Sequence, residues 1–358
     1  MRITIVGAGA IGGLAGAWMA MAGEDVTLVD RWKEHVQAIR EHGLVIDGLR
    51  GDHLVRLPAC TPEELAGPLE MVFLACKSQD TRAAITTIAP LLTPDSAVVS
   101  LQNGMNEEVI GDVIGIDRVI GAIPDYGGAL VDPGHLEFVH PGPAYVGELD
   151  GRITDRVREA HRLLSHLTDT ELTTNIVGRV WAKQIHGTQV VMTGLVEAPI
   201  VQVLRDERHR HLAVSLVAEA TAVAAAAGVT LPEGMTVQPE RYRSPTPEGT
   251  RALIDDLGQW VEATLHHQEE AEAAGTHRYV KQGSGIWWDL YYRRRPSETR
   301  WITGELVRRA DDLGVPVPLN RRTAEMIYEI EAGSRAPEFA NLDELYAYGR
   351  DAGALLPL

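Results

Sequence analysis

Apolar and polar positions divide this chain into two textures. Ile3 to Val6, Asp25 to Val29, Met71 to Ala75, Ala97 to Leu101 and Val119 to Ile123 are compact β-favouring runs. Each leads into a turn, a helix-like stretch or both, the alternation that builds a parallel sheet. Strand-like sequence punctuated by Pro141-Gly142-Pro143 and Gly147-Glu148 predicts an antiparallel edge, and Glu171 to Thr174 reads as the last strand. From Gly178 onward the period changes to that of long amphipathic helices. They are predicted over Arg179 to Glu197, Arg208 to Ala227, Thr250 to Ala274, Ser297 to Leu313 and Leu319 to Ala332, with a shorter one at Leu342 to Gly349. Several follow a proline or a Ser/Thr/Asn cap. Gly234 to Gly249, rich in Pro, Arg and Glu, reads as a mobile loop. The pattern predicts an α/β domain over residues 1–175 and an all-α domain over 176–358, with the boundary near Asn175.

The first strand runs straight into Gly7-Ala8-Gly9-Ala10-Ile11-Gly12, a G-x-G-x-x-G, and an Ala- and Met-rich helical stretch follows. Strand, glycine turn and helix in that order form the first βα unit of a dinucleotide-binding fold. Gly7 allows the tight turn, Gly9 lets backbone approach a pyrophosphate, and Gly12 lets helix and strand pack closely. The phosphates would rest on the helix N-terminus, over the backbone of Ala10, Ile11 and Gly12. Ile3 to Gly23 also carries no charge, is long enough to cross a bilayer, and with Arg2 imitates a signal peptide. Its glycines disfavour an isolated helix by about 1 kcal/mol each and fall where a phosphate turn needs them. The reading is therefore a protein without a membrane span.

Composition sharpens this. The 358 residues suffice for two domains, and 45% hydrophobic residues supply their cores. Two cysteines, Cys60 and Cys76, make no disulfide framework and fit a reducing cytoplasm. A formal charge of −17 argues against nucleic-acid or anionic-membrane partners. An acidic protein that binds an anionic cofactor must gather its basic residues locally, so cations near the glycine turn carry most meaning.

Asp30 ends the second strand at close to the ~20-residue spacing at which a carboxylate grips the adenosine ribose 2′-OH and repels a 2′-phosphate, which favours NAD. Arg31 beside it could instead pair with such a phosphate and favour NADP; a solvated Asp-Arg turn is the alternative to both. Lys77 and Asn103 follow the Met71 and Ala97 strands, at the carboxyl ends where open α/β sheets bind ligands. They could equally be a surface lysine and a plain Asn-Gly turn.

Gly7 to Gly13, Lys77, Leu101-Gln102-Asn103-Gly104, the Pro-Gly-His around Gly134 and Gly147-Glu148 together resemble the ketopantoate reductase (2-dehydropantoate 2-reductase) family. The resemblance continues through Trp181-Ala182-Lys183, Ser297-Glu298 ahead of Gly304, and Gly314 to Pro318, and so spans nearly the whole chain. It implies a Rossmann NAD(P)-binding domain followed by an all-α domain of the 6-phosphogluconate dehydrogenase C-terminal type, assembled as a homodimer. It also implies reduction of a 2-oxo acid, a small-molecule substrate, with a nicotinamide cofactor. Hydride addition builds negative charge on the carbonyl oxygen, so a proton source must sit there. Lys183 matches the family's catalytic lysine, Glu298 its acidic partner, Asn103 the residue that holds nicotinamide and substrate, and Lys77 a cofactor-side lysine. By itself, Lys183 on an apolar helix could be snorkelling, and Glu298 at a helix start could serve the dipole alone.

Departures fall on the substrate side. Gly187 and Val191 stand where the family carries asparagines, and Gly285, beside Ser284, stands for a substrate serine. Thr303 replaces an asparagine, and extra sequence lies between Gly228 and Ser284. Loss of these polar groups, space released at Gly187 and Gly285, and Trp287, Trp288, Tyr291 and Tyr292 nearby predict a larger or aromatic substrate, with His186, Ser284 and Trp288 as candidate contacts. A core role for two of the aromatics, and for His186, is the plainer alternative. His209 with His211 and His266 with His267 lack the i, i+4 spacing of a metal pair on one helix, so no metal is assigned. Two other functions compete with reduction: an oxidative dehydrogenase of a hydroxy acid, opine or secondary alcohol, and a dinucleotide sensor without chemistry.

Overall fold

The computed structural model describes residues 1–232, 238, 240–243, 245–273 and 283–358. They form two compact units, Met1–Val180 and Trp181–Leu358. The division falls inside one helix, Ile176–Met192, five residues beyond the predicted boundary.

The first unit contains β1 (Arg2–Val6), α1 (Ala10–Met21), β2 (Asp25–Val29), α2 (Lys33–His42), β3 (Leu44–Gly48), β4 (His53–Val55), β5 (Ala59–Cys60) and β6 (Leu69–Leu74). It continues with α3 (Thr81–Ile88), β7 (Leu92–Ser100), α4 (Glu107–Ile114), β8 (Val119–Pro124), β9 (Gly127–Asp132), β10 (His135–His140), β11 (Ala144–Glu148), α5 (Asp155–Leu164) and β12 (Thr170–Leu172). The main sheet has eight strands in the order β12-β11-β8-β7-β6-β1-β2-β5. From β5 through β8 every neighbouring pair is parallel, with Ile3 to Val6 registered against Val26 to Val29 on one side and Met71 to Leu74 on the other. Ile5, Leu28, Phe73 and Val99 are completely buried. Helices cover both faces of such a sheet, which is why its strands read as unbroken apolar runs rather than alternating ones. β11 runs antiparallel to β8, as the proline- and glycine-punctuated sequence predicts, while β12 lies outside it and forms the edge.

A second sheet, β4-β3-β10-β9, is absent from the sequence reading. Its β9–β10 hairpin turns at Asp132-Pro133-Gly134, with Gly134 at φ +75°. α1 packs against both sheets. A Cβ at Gly13 would come within 2.6 Å of Leu136 on the hairpin, and one at Gly16 within 2.6 Å of Leu28 on the main sheet. That double burial explains the uncharged, glycine-rich stretch that imitates a membrane span. Among the described residues no helix is long and apolar enough to cross a bilayer.

The second unit is helical: the remainder of α6 (Ile176–Met192), then α7 (Ile200–Val203), α8 (Glu207–Ala226), α9 (Glu240–Arg243), α10 (Pro247–Ala273), α11 (Gly285–Trp287), α12 (Thr303–Leu313), α13 (Pro318–Glu331) and α14 (Ala340–Asp351). α8 is its axis and packs against α10, α12, α13 and α14. Glu219 on α8 accepts the backbone N–H groups of Leu319 and Asn320, each at 2.9 Å, and so caps α13. Burial raises the pKa of this carboxyl.

Three boundaries differ from expectation. α6 begins at Ile176 because the Asn175 side chain accepts the Gly178 N–H, and it ends at Met192, ahead of a 3₁₀ turn. The helix predicted from Ser297 is broken into a turn at Glu298–Arg300 and α12. The cause is Gln184, whose amide donates to both Trp301 O (3.0 Å) and Ile302 O (2.7 Å), carbonyls at the break. The stretch Gly234 to Gly249 contains α9 and the start of α10. Its residues 234–237, 239 and 244 lie outside the described residues, as does Ala274 at the predicted end of α10.

Candidate active site

In the first unit β1 delivers the chain into the glycine turn at the point where strand order reverses, between β2 and β6. Open α/β sheets bind ligands at that point. Gly7 sits at φ +100°, and a Cβ there would lie 2.5 Å from the Cys76 backbone nitrogen. A Cβ on Gly12 would lie 2.2 Å from Gly7 O, whereas one on Gly9 would meet nothing within 4 Å. Packing therefore requires glycine at 7 and 12, and the free space at Gly9 is what an approaching pyrophosphate needs. No side chain caps α1, so the N–H groups of its first turn, at Ala10, Ile11 and Gly12, are left for a ligand. These residues fit a dinucleotide.

The turn is clamped at Ala8. Asp30 Oδ2 accepts the Ala8 N–H at 2.9 Å, and Asp30 Oδ1 accepts the Trp32 N–H at 2.9 Å. His35, fully buried, lies 3.0 Å from Ala8 O through Nε2. The Gly134 N–H donates to His35 Nδ1 at 2.9 Å. Nδ1 is thus an acceptor, Nε2–H the donor to Ala8 O, and the ring neutral. His35, which carried no signal in the sequence, joins the phosphate turn to the β9–β10 hairpin and stacks on Trp32. Burial lowers its pKa from 6.5. In the window below 6.5 the unfolded chain binds the proton that the folded ring refuses, so stability falls as pH drops. We expect thermal stability to decline as pH falls below 6.5, in the direction this buried neutral ring requires. A His35→Asn variant followed by calorimetry should melt lower at neutral pH and show a shallower decline. An unchanged slope would exclude His35 as the cause.

The remaining cofactor-side candidates surround this turn. Arg31 extends to Asp80, Nη1 to Oδ1 at 2.7 Å. Lys77 is half-buried at the start of the turn that follows β6. Asn103 is exposed, and its backbone is anchored: Ser78 Oγ (2.5 Å) and Asn106 Nδ2 (2.6 Å) both donate to Asn103 O. Gln102 Nε2 donates to Cys76 O at 2.8 Å and Thr81 Oγ1 at 2.7 Å, which laces the turns after β6 and β7 together. Ser78, Gln102 and Asn106 were not singled out in the sequence. Their polar types in a turn gave only a generic loop signal.

The second unit carries Lys183 and Glu298. Lys183 is half-buried on α6, and its neighbour Gln184 binds the Trp301 and Ile302 carbonyls. That bond ties the helix of Lys183 to the turn of Glu298. Glu298 is 4% exposed. Ser297 Oγ caps its turn by accepting the Thr299 N–H, and Ser297 N–H and Oγ both donate to Glu331 Oε1 at 2.8 Å. A Cβ at Gly187 would lie 2.8 Å from Ile302 Cγ2. The space expected at Gly187 is therefore filled by Ile302, whereas Gly285 is exposed and a Cβ there would meet nothing within 4 Å among the described residues.

Ser284 is buried, and its hydroxyl caps α11 by accepting the Trp287 N–H at 3.0 Å. Trp288 and Trp287 are half-buried and meet edge-on at 5.7 Å. Tyr292, exposed, lies edge-on to Trp288 at 4.5 Å. Tyr291 is turned inward, its hydroxyl donating to Gly194 O. Trp288 to Tyr292 form a π-helical turn, and Arg294 just beyond it adopts φ +48°. Such features are frequent at functional sites. His186 on α6 is half-buried beside Gln189, Nδ1 to Nε2 at 2.9 Å.

Comparison with known proteins identifies the family. Residues 3–151 match the model of the ketopantoate reductase PanE/ApbA family, and residues 175–331 match that of its C-terminal domain. A 2-dehydropantoate 2-reductase of Archaeoglobus fulgidus is 27% identical over 93% of this chain and 98% of its own. One from Pyrococcus abyssi is 29% identical over 89% and 94%. Among solved structures, a PanE/ApbA family ketopantoate reductase from Ralstonia eutropha aligns with TM-score 0.74 and 26% identity over 94% of this chain and all of its own. D-mandelate dehydrogenase in complex with NADH and anilino(oxo)acetate aligns with TM-score 0.75 over 94% of this chain and all of its own, at 21% identity, a likeness of fold alone. With both family models together matching most of its length, the chain belongs to the ketopantoate reductase family and is an NAD(P)-dependent oxidoreductase.

Proposed function

We propose that this protein reduces the ketone of a 2-oxo acid bearing a bulky or aromatic side group, with NADH as the hydride source. The bound nicotinamide supplies hydride to the carbonyl carbon. Lys183, as the ammonium, donates a hydrogen bond to the carbonyl oxygen and then the proton that completes the hydroxyl. Glu298 orients that ammonium and positions the substrate. Asn103 holds the substrate on the cofactor side. Gly7, Gly9, Ala10, Ile11 and Gly12 bind the pyrophosphate, while Asp30 and Lys77 serve the nucleoside end. The single observation that carries the reading is the Gln184 brace, which builds the lysine helix and the buried-glutamate turn as one piece. A preorganised pair of this kind is what a developing oxyanion requires.

The missing side chain at Gly285 and the half-buried Trp288 favour a substrate larger than ketopantoate. The folding likeness to a dehydrogenase bound to an aromatic 2-oxo compound suits that class. His186 and Ser284 complete the proposed substrate contacts, with Ser284 acting through the cap that sets the path of Trp287 and Trp288. A homodimer in a reducing cytoplasm completes the reading.

NADH is favoured over NADPH because Asp30 follows β2 beside the glycine turn and Arg31 already has an acidic partner. Following cofactor oxidation with both reduced dinucleotides across a panel of 2-oxo acids and ketones tests the proposal. The expected result is turnover of bulky 2-oxo acids with lower KM for NADH. Absence of turnover with every ketone would overturn it, and a clear NADPH preference would reassign the nucleoside end to Arg31.

A further inference from the structure

We infer that Asp80 is a specificity-determining residue for the dinucleotide, acting on the adenosine 2′-position by holding Arg31 in an internal ion pair. The inference rests on the dinucleotide reading of the first unit. β1 lies between β2 and β6 in the sheet. Arg31 follows β2 and Asp80 closes the turn after β6, so their 2.7 Å bond spans the carboxyl end of β1, where the glycine turn begins. The Arg31 side chain is 72% exposed and that of Asp80 25% exposed. The guanidinium thus reaches across the ligand end of the strands to a carboxylate that is much the better buried of the two.

An arginine at the end of the second strand is the group that accepts a 2′-phosphate in NADP sites. Here that arginine already has an anion, and Asp30, the residue before it, adds a second carboxylate close to the same strand end. A 2′-phosphate carrying about −1.5 to −2 charge must take Arg31 from Asp80 and then sit near the released carboxylate. A ribose hydroxyl meets neither cost, because it can donate to a carboxylate. An exposed ion pair is weak, so Asp80 biases the choice rather than forbidding NADP.

The test is fluorescence titration of the full-length protein with NADH and with NADPH, in the wild type, Asp80→Asn, and Asp80→Asn with Arg31→Ala. The quantity read is the ratio of the two Kd values, so a general loss of folding or binding cancels. Asp80→Asn should move the ratio toward NADPH by about threefold to fivefold, since it frees Arg31 for the 2′-phosphate. Adding Arg31→Ala should abolish that gain. An unchanged ratio in Asp80→Asn, or a gain that survives Arg31→Ala, would overturn the inference while leaving the dinucleotide site intact. Wild-type protein that binds neither dinucleotide would overturn the site itself.

Discussion

Lys183→Ala is expected to lower kcat by about 10²- to 10⁴-fold, the usual weight of a positioned proton donor. Lys183 holds a half-buried place on α6, next to the residue that ties this helix to the Glu298 turn. Without the ammonium, charge developing on the substrate oxygen has neither its donor nor its proton, and water replaces both poorly. The cofactor contacts assigned to the glycine turn belong to the other unit, so Kd for NADH should change little. Steady-state kinetics with a good 2-oxo acid, paired with NADH titration, separates the two quantities. The melting temperature should stay close to that of the wild type, because loss of a half-buried cation leaves no large cavity. Wild-type turnover in the alanine variant would remove Lys183 from the chemistry, and a parallel loss of kcat and folding would assign it a structural role.

The second large effect concerns substrate. Ketopantoate is expected to react with kcat/KM roughly 10- to 100-fold below that of an aromatic 2-oxo acid such as phenylglyoxylate, the range set by a few lost hydrogen bonds and one apolar group. Gly187, Val191 and Gly285 offer no side-chain hydrogen bond to a small hydroxylated acid. Ile302 closes the space at Gly187 and Gly285 is exposed at the start of α11, so the aromatic preference is assigned to Trp288 and the exposed Tyr292. Trp288→Ala should reduce the aromatic preference more than it reduces activity on small 2-oxo acids. A panel in which ketopantoate is the best substrate would defeat this idea and return the protein to the family's ordinary reaction.

Much of the fold was legible because its causes are local. Apolar runs at the strands of a sheet covered on both faces, and apolar positions recurring at helical spacing, announce the two textures without reference to distant residues. The glycine turn is legible for the same reason: a positive φ at Gly7 and a contact that admits no Cβ at Gly12 can be met only by glycine. Lys183, Glu298, Asn103 and Lys77 were nameable because motif spacing carries family information. Their roles stay proposals that kinetics must decide.

Other features were decided only by tertiary structure, because they join residues far apart in the chain. The β4-β3-β10-β9 sheet pairs Leu44–Gly48 with His135–His140, and no local pattern encodes that partnership. His35 acquires meaning only when Ala8 and Gly134 converge on its two nitrogens. The break before α12 is imposed by Gln184, more than a hundred residues upstream, and the space at Gly187 is closed by Ile302. Arg31 likewise read as a partner for a 2′-phosphate or as part of a solvated turn, and only the sheet order brings Asp80 to it. By itself the sequence determined which elements form and which chemistry they can carry, since backbone conformation and apolar periodicity are short-range properties. The tertiary structure decided how those groups are partnered, since hydrogen bonds, ion pairs and filled volumes depend on which distant segments meet.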